Sequence, residues 1–308
     1  MKSRNIAGIV FMTLLFLSCG KTGVESNIKK DNKVVSLREY NTLKETNLPK
    51  RRVVIGKVKN YSRFGTQRTD ITTKDILASE FSNSGRFNVL ERSDLDPVIE
   101  ELAFSNTLGE KSLLSKQKFL DTDFVIIGSV TKYALNTIGN KSLFSKSKEQ
   151  KAEVVIELKV IDVTNGKVWI ETGEGSSSIT FGTVLGAGTY GSYTSLEEEA
   201  FRAAVIQGVE KIVKKLDSMP WSASIVKKSG DTIIINSGAN SNLKLGTEME
   251  VYKIGAPIEY RGEILGYEEE RVGSAVVTNY IGEEAASLRY DGKNFTIPGI
   301  VKIKKEIG

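Results

Sequence analysis

The sequence predicts an α+β domain, a mixed sheet with packed helices, followed by a small all-β barrel-like domain. Three observations predict it. Between Arg51 and Leu216, apolar runs of strand length alternate with stretches of helical period. Met219-Pro220-Trp221 then breaks the pattern. From Ile225 to Ile303 only short apolar runs remain, separated by turn residues, which is the pattern of a small barrel or sandwich.

The chain opens with Lys2 and Arg4, an apolar run from Ile6 to Leu17, and Ser18-Cys19-Gly20. The run is too short to span a bilayer stably as a helix, and a small residue precedes the only cysteine. This reads as a bacterial lipoprotein signal peptide over residues 1–18, with Cys19 as the lipidation site. The alternative is an ordinary signal peptide or an uncleaved anchor with an incidental thiol, because Phe16 stands where such cleavage sites usually carry Leu. Either way the chain leaves the cytoplasm. With several acyl chains on Cys19 the mature protein is held stably, and Gly20 in place of Asp makes the outer membrane the default destination, with the main domains periplasmic.

Residues 19–50 are polar, with a sparse apolar set at Val34, Val35, Leu37, Tyr40 and Leu43, and are expected to be a lipidated tether. The first domain occupies residues 51–217. Val53-Val54-Ile55 with Val58 makes a short buried strand, and a polar loop runs from Asn60 to Thr72. A helix over Thr73–Ser84 turns Ile76, Leu77 and Phe81 inward and stops at Gly85. Phe87–Leu90 is a strand, and Ser93 or Asp94 caps a helix carrying Val98, Ile99 and Leu102. Phe124–Val130 is mostly apolar on both parities, as a strand buried on both faces should be. Val154, Ile156, Leu158 and Val160 alternate along the next strand, which Thr164-Asn165-Gly166-Lys167 turns into Val168-Trp169-Ile170. The last helix, Leu196–Leu216, carries Ala200, Ala204, Gly208, Ile212 and Leu216 on one face. Residues 221–308 form the β domain. Its turns are expected at Ser229-Gly230-Asp231, Asn236-Ser237-Gly238, Leu245-Gly246-Thr247, Gly255, Gly262 and Gly273.

Composition narrows the chemistry. The chain has 308 residues, one cysteine and no histidine. Disulfides, thiolate metal sites, most zinc sites and histidine-dependent nucleophiles are thereby removed, so the protein is expected not to be an enzyme and to hold no cofactor or metal. The net charge of +5 falls to +3 when Lys2 and Arg4 leave with the leader, too little to argue for nucleic acid. Gly186-Ala187-Gly188-Thr189-Tyr190-Gly191 matches a dinucleotide fingerprint, yet it lacks the acidic residue at a second strand's end and reads as hairpin or loop glycines. Glu197-Glu198-Glu199 suits the positive end of a helix dipole, and Glu268-Glu269-Glu270-Arg271 reads as a solvated turn.

Ser84-Gly85-Arg86-Phe87-Asn88-Val89-Leu90-Glu91-Arg92-Ser93-Asp94-Leu95 resembles the signature of the family of the curli secretion channel CsgG and the holdfast-attachment protein HfaB. Asp123–Val130, Glu153–Val168 and the Leu196–Leu216 helix fit the same pattern, so the resemblance covers about Arg51 to Leu216. The C-terminal domain looks like the one that ends the flagellar assembly protein FlgT, on Ile235-Asn236-Ser237-Gly238, Leu245–Tyr252, Gly262–Gly266 and Val272-Gly273. The first resemblance implies a lipoprotein that assembles with itself into a ring. In channel members each subunit adds two β-hairpins to a shared outer-membrane barrel, and unfolded polypeptide passes a narrow constriction. Relatives without a pore also exist.

The family's second membrane hairpin corresponds here to residues 175–195, which carry no charge and alternate. Ile179, Phe181, Leu185, Ala187 and Tyr193 share one parity, so Ile179, Phe181, Leu185 and Tyr193 are the candidate lipid-facing side chains. The competing reading is a soluble glycine-rich loop. The first hairpin would lie between Thr131 and Ala152, where Lys146, Lys148, Glu149 and Lys151 put charge on both faces of any strand. A lipid-facing charge near the midplane costs about 2–4 kcal/mol, so this stretch is expected to be a solvated loop. The family's constriction loop corresponds to Asn60–Thr72, with Asn60, Tyr61 and Phe64 as candidates, or as anchors of an ordinary surface loop. Two functions follow. The first is an outer-membrane lipoprotein subunit of an oligomeric ring that secretes or assembles curli-like surface polypeptides, with an unfolded secreted polypeptide and periplasmic accessory proteins as partners. The second is a pore-less periplasmic scaffold or binding module acting on envelope machinery.

Overall fold

Apolar runs buried on both sides belong inside a sheet, and the computed structural model is built around one. It describes residues 25–30, 33–36, 48–62, 70–90, 122–141, 145–163, 167–184, 187–189, 196–260 and 263–304. The first sheet contains β1 (Glu25–Lys30), β2 (Lys33–Ser36), β3 (Arg51–Ile55), β4 (Lys59–Asn60) and β5 (Phe87–Leu90). It continues with β6 (Phe124–Lys141), β7 (Ser145–Asp162), β8 (Val168–Val184) and β9 (Ala187–Thr189). Its order is β2-β1-β8-β7-β6-β3-β5, with β4 on β6 and β9 on β8. β3 runs parallel to β5 and β6 while β6, β7 and β8 are antiparallel, so the sheet is mixed.

Among the described residues two helices accompany it, α1 (Asp70–Asn83) and α2 (Leu196–Asp217). α1 begins three residues before the expected start, and Ile76, Leu77 and Phe81 are buried as its period requires. Gly85 follows at φ +69°, where a Cβ would be strained. α2 buries Ala200, Ala204, Gly208, Ile212 and Leu216 against the sheet. Small residues make that approach close. A Cβ on Gly175 of β8 would lie 2.2 Å from the Ala200 carbonyl oxygen and 2.3 Å from the Ala204 nitrogen. On the helix-covered side Phe124, Ile126, Val154, Ile156 and Leu158 join the main core, while Val54, Val125, Ile127 and Ile161 form a smaller cluster on the other side.

The second sheet is a closed barrel, β10-β11-β14-β13-β12-β15, of β10 (Ser222–Ser229), β11 (Thr232–Ile235), β12 (Glu248–Tyr260), β13 (Glu263–Ile281), β14 (Ala285–Gly292) and β15 (Gly299–Ile303). Its core, with Trp221, Ile233, Ile235, Val251, Leu288 and Val301, is separate from that of the mixed sheet. The two are joined by polar contacts. Arg52 Nη1 donates to the Asn236 carbonyl at 2.6 Å, Arg52 Nη2 pairs with Asp123 at 2.6 Å, and the Lys50 amide donates to the Ser241 carbonyl at 2.7 Å.

Several expectations are corrected. The stretch expected to be a tether contains β1 and β2, because Glu25–Ile28 pair with Gly175–Ser178 and backbone hydrogen bonding needs no apolar side chains. The described residues of Thr131–Ala152 are strand where a loop is expected, since β6 and β7 stay paired from Lys132 with Val155 to Lys141 with Lys146. Gly255 and Gly273 lie inside strands, and Glu268–Arg271 is exposed strand rather than turn. A Cβ on Gly273 would meet the Asp291 carbonyl at 2.3 Å, so that glycine serves close strand approach. Cys19, the Ser93/Asp94 helix, the Thr164–Gly166 turn and Gly262 lie outside the described residues.

Candidate functional site

The outer halves of β6, β7 and β8 form an antiparallel arm that extends the mixed sheet. It starts where β6 is irregular between Val130 and Lys132, next to the Tyr61 amide donating to the Val130 carbonyl at 2.9 Å. Register fixes its two faces. On the α2 side Leu135 stands opposite Ala152 and Thr137 opposite Gln150; Gln150 and Lys148 in turn face Ile179 and Phe181. On the other side Ala134, Asn136 and Ile138 stand opposite Glu153, Lys151 and Glu149, which face Ser176, Ser178 and Thr180.

The alternation seen in the sequence is therefore real, but its apolar face points inward. Ile179 and Phe181 are each 6% exposed and belong to the main core, with Ser177 and Ala152 fully buried beside them. A lipid-facing side chain must be open to its surroundings, so the single chain already assigns these two to packing. Leu185 and Tyr193 lie outside the described residues. What the arm does expose is Leu135 and Ile138, at 47% and 57%.

The polar face carries a charge cluster. Glu153 accepts from Lys132 Nζ at 3.0 Å and Lys151 Nζ at 2.8 Å. The hydrogen bond from Lys151, then that from Lys132, hold its carboxyl below the ordinary glutamate range. At the start of α2 the acidic run is not simply solvated: Glu199 accepts from Ser26 Oγ at 3.1 Å, tying β1 to the helix. Burial, reinforced by a hydrogen bond to Glu197, raises the Tyr133 phenol well above its usual range.

Of the candidate constriction residues, Asn60 ends β4 and accepts from the Ser62 amide and hydroxyl at 2.9 and 2.7 Å, which caps a local turn. Tyr61 is 62% exposed. Phe64 lies outside the described residues. Ala187–Thr189 of the glycine fingerprint is strand paired to Gly182–Val184, not the strand-to-helix turn a dinucleotide needs. Among the described residues no cluster of acidic residues could hold a metal ion, and no helix is long and apolar enough to cross a membrane.

Comparison with known proteins gives the following. The profile of the family described as curli production assembly/transport component CsgG matches residues 49–235, which takes in β10 and β11 of the barrel. A Neisseria meningitidis serogroup B protein named as a lipoprotein, NMB1126/NMB1164, is 24% identical over 212 residues, 65% of this chain and 91% of its own. Among solved structures, a PelC dodecamer from Paraburkholderia phytofirmans is 11% identical, covering 61% of this chain and 94% of that one at a TM-score of 0.30. Lipoprotein GNA1162 from Neisseria meningitidis is 15% identical, covering 55% and 99% at a TM-score of 0.25.

Proposed function

We propose, from the premise that the chain belongs to the family of the curli production assembly/transport component CsgG, that it is a non-enzymatic envelope lipoprotein, anchored to the outer membrane through Cys19, whose periplasmic domains assemble into a ring of identical subunits that adds no barrel of its own to the membrane. The leader residues and the relative named as a lipoprotein support the anchor. The observation that carries the pore-less reading is the arm. Among the described residues its apolar pair Ile179 and Phe181 is buried under its own chain, the exposed apolar residues are Leu135 and Ile138 alone, and its strands carry Lys148 on one side and Glu149 and Lys151 on the other. Hydrocarbon on either face would meet charge, at about 2–4 kcal/mol for each residue near the midplane. The ring acts by binding, with the barrel offered to envelope machinery.

The second reading, a channel subunit for curli-like polypeptides, is favoured by the absence of charge over residues 175–195. Planar-bilayer recording on the detergent-extracted oligomer separates the two. Rings visible by electron microscopy that give no conductance support the proposal. Conductance steps that vanish in Ile138→Lys, whose side chain is exposed, would replace it with the channel. Retention in the outer membrane after Cys19→Ala would remove the anchor.

A further inference from the structure

β12 and β13 outrun the barrel they belong to. β15 pairs with β12 only from Met249 to Lys253, and β14 pairs with β13 only from Gly273 to Ile281. Beyond those limits the two strands continue with each other, from Ile254 with Glu269 to Tyr260 with Glu263, as a two-stranded ribbon about 20 Å long. A ribbon of two strands is at best marginally stable by itself, and its edges offer backbone groups to a further strand. The two edges are not equivalent. The β12 edge carries Pro257, which has no N–H to give. The β13 edge has no proline and continues the line that β14 leaves at Gly292, so a strand added there extends a ladder the barrel has already begun.

The side chains define what that strand should carry. Gly255 to Tyr260 are all exposed, Ile258 and Tyr260 at 48% and 57%. Residues 255–272 hold five glutamates against Arg261 and Arg271, a net −3 in a chain of net +5. Register divides the charges between two sides. On one side Glu269 pairs with Lys302 and Arg271 with Glu250. On the other, Glu268 and Glu270 stand in line with Gly266 and its opposite number Ile258. Both carboxylates are exposed and make no ion pair among the described residues. An anionic lipid surface is repelled by such a ribbon, whereas lysine or arginine at alternate positions of an added strand would stand beside both carboxylates.

We propose that the β13 edge of this ribbon receives a cationic, extended segment of a partner protein as a third strand, with lysine or arginine at alternate positions beside Glu268 and Glu270. This rests on the reading of the barrel as the part offered to envelope machinery and gives that partner its chemistry. The test is fluorescence anisotropy of a labelled heptapeptide alternating lysine and valine, titrated with the full chain carrying Cys19→Ala. Saturable binding is expected, at least tenfold weaker for the same peptide with glutamate in place of lysine. It should be equally weakened for the lysine peptide N-methylated at its backbone amides, which keeps the charge but has no N–H to form a ladder. Glu268→Gln with Glu270→Gln should weaken the lysine peptide at least threefold, and both positions are exposed, so the fold is not at stake. Glu283→Gln, at an exposed carboxylate elsewhere on the barrel, should leave binding unchanged. No binding to the parent chain, equal binding of the glutamate or N-methylated peptide, or full affinity in the double variant overturns the assignment. A smaller oligomer in light scattering of the double variant overturns it as well, and gives the ribbon to a second copy of the chain. The titration needs neither ring nor anchor. A chain that forms rings but does not bind the peptide therefore refutes this assignment alone, and one that binds the peptide without forming rings refutes only the ring.

Discussion

Arg52 is the side chain on which most of the architecture converges. It is 4% exposed, pairs with Asp123, and reaches the Asn236 carbonyl on the far side of the junction. Asp123 in turn accepts from the Arg52 amide at 2.7 Å, so one carboxylate fixes both backbone and side chain. Arg52→Met keeps the volume but leaves Asp123 a half-buried carboxylate without its cation, and should cost about 3–5 kcal/mol in denaturant unfolding. Gly175 is a second point of that kind, because only a missing Cβ lets α2 lie on β8; Gly175→Val should lower the melting temperature far more than Gly182→Val, whose Cβ has its nearest contact at 3.8 Å. Glu153 gives a pH-dependent contribution of definite sign. Its folded-state pKa is depressed, so the stabilisation is present above the ordinary value of 4.5 and is lost as the pH falls through the lower folded-state value. Thermal melts of Glu153→Gln and the parent should therefore differ at neutral pH and converge in acid; a difference independent of pH would refute the assignment.

At the scale of elements, the arm separates what the residue pattern declares from what tertiary pairing supplies. α1, α2, β5 and the inner part of β6 were legible because their apolar residues recur at helical spacing or run together for the length of a strand. The outer halves of β6 and β7 were not, since Lys146, Lys148, Glu149 and Lys151 resemble a solvated loop. Backbone hydrogen bonds to β8 hold these residues in strand regardless of side chain. β1 and β2 escaped for the same reason. Along β8 the period-2 pattern is legible but the surroundings of its apolar face are not, because a buried face and a lipid face have the same composition; in the single chain Ile179 and Phe181 are buried with the main core. The arm's assignment is testable in the isolated chain. Phe181→Ala should cost about 3 kcal/mol or more as a core truncation, while Ile138→Lys on the open face should leave the unfolding midpoint unchanged. Equal tolerance of both substitutions would place Phe181 outside the core and return it to a membrane or partner surface.

Among the described residues the mixed sheet and the barrel keep separate cores and are joined by a seam of polar contacts. The barrel closes its own sheet and has its own buried set, which is what independent folding requires. Its attachment is nevertheless specific, because Lys50 and Arg52 hydrogen-bond to Ser241 and Asn236, and Trp221 Nε1 lies 3.4 Å from the Lys50 carbonyl. Anything that binds only the folded barrel stabilises it, and the mixed sheet with its clamp is such a ligand held at high effective concentration. The fragment from Trp221 to Gly308 should therefore fold cooperatively as a monomer, yet melt at a lower temperature than the barrel does in the full chain. Arg52→Met in the full chain should move the barrel's transition toward that of the isolated fragment, and calorimetry should then resolve two transitions where the intact seam couples them. Light scattering on the same samples asks where self-association resides. If the ring is built by the mixed-sheet domain, the full chain should form oligomers, Arg52→Met should leave their size unchanged, and the barrel alone should remain monomeric. An isolated barrel that melts with the full chain would show that the seam transmits nothing, and an oligomeric barrel would move the assembly surface to the C-terminal domain.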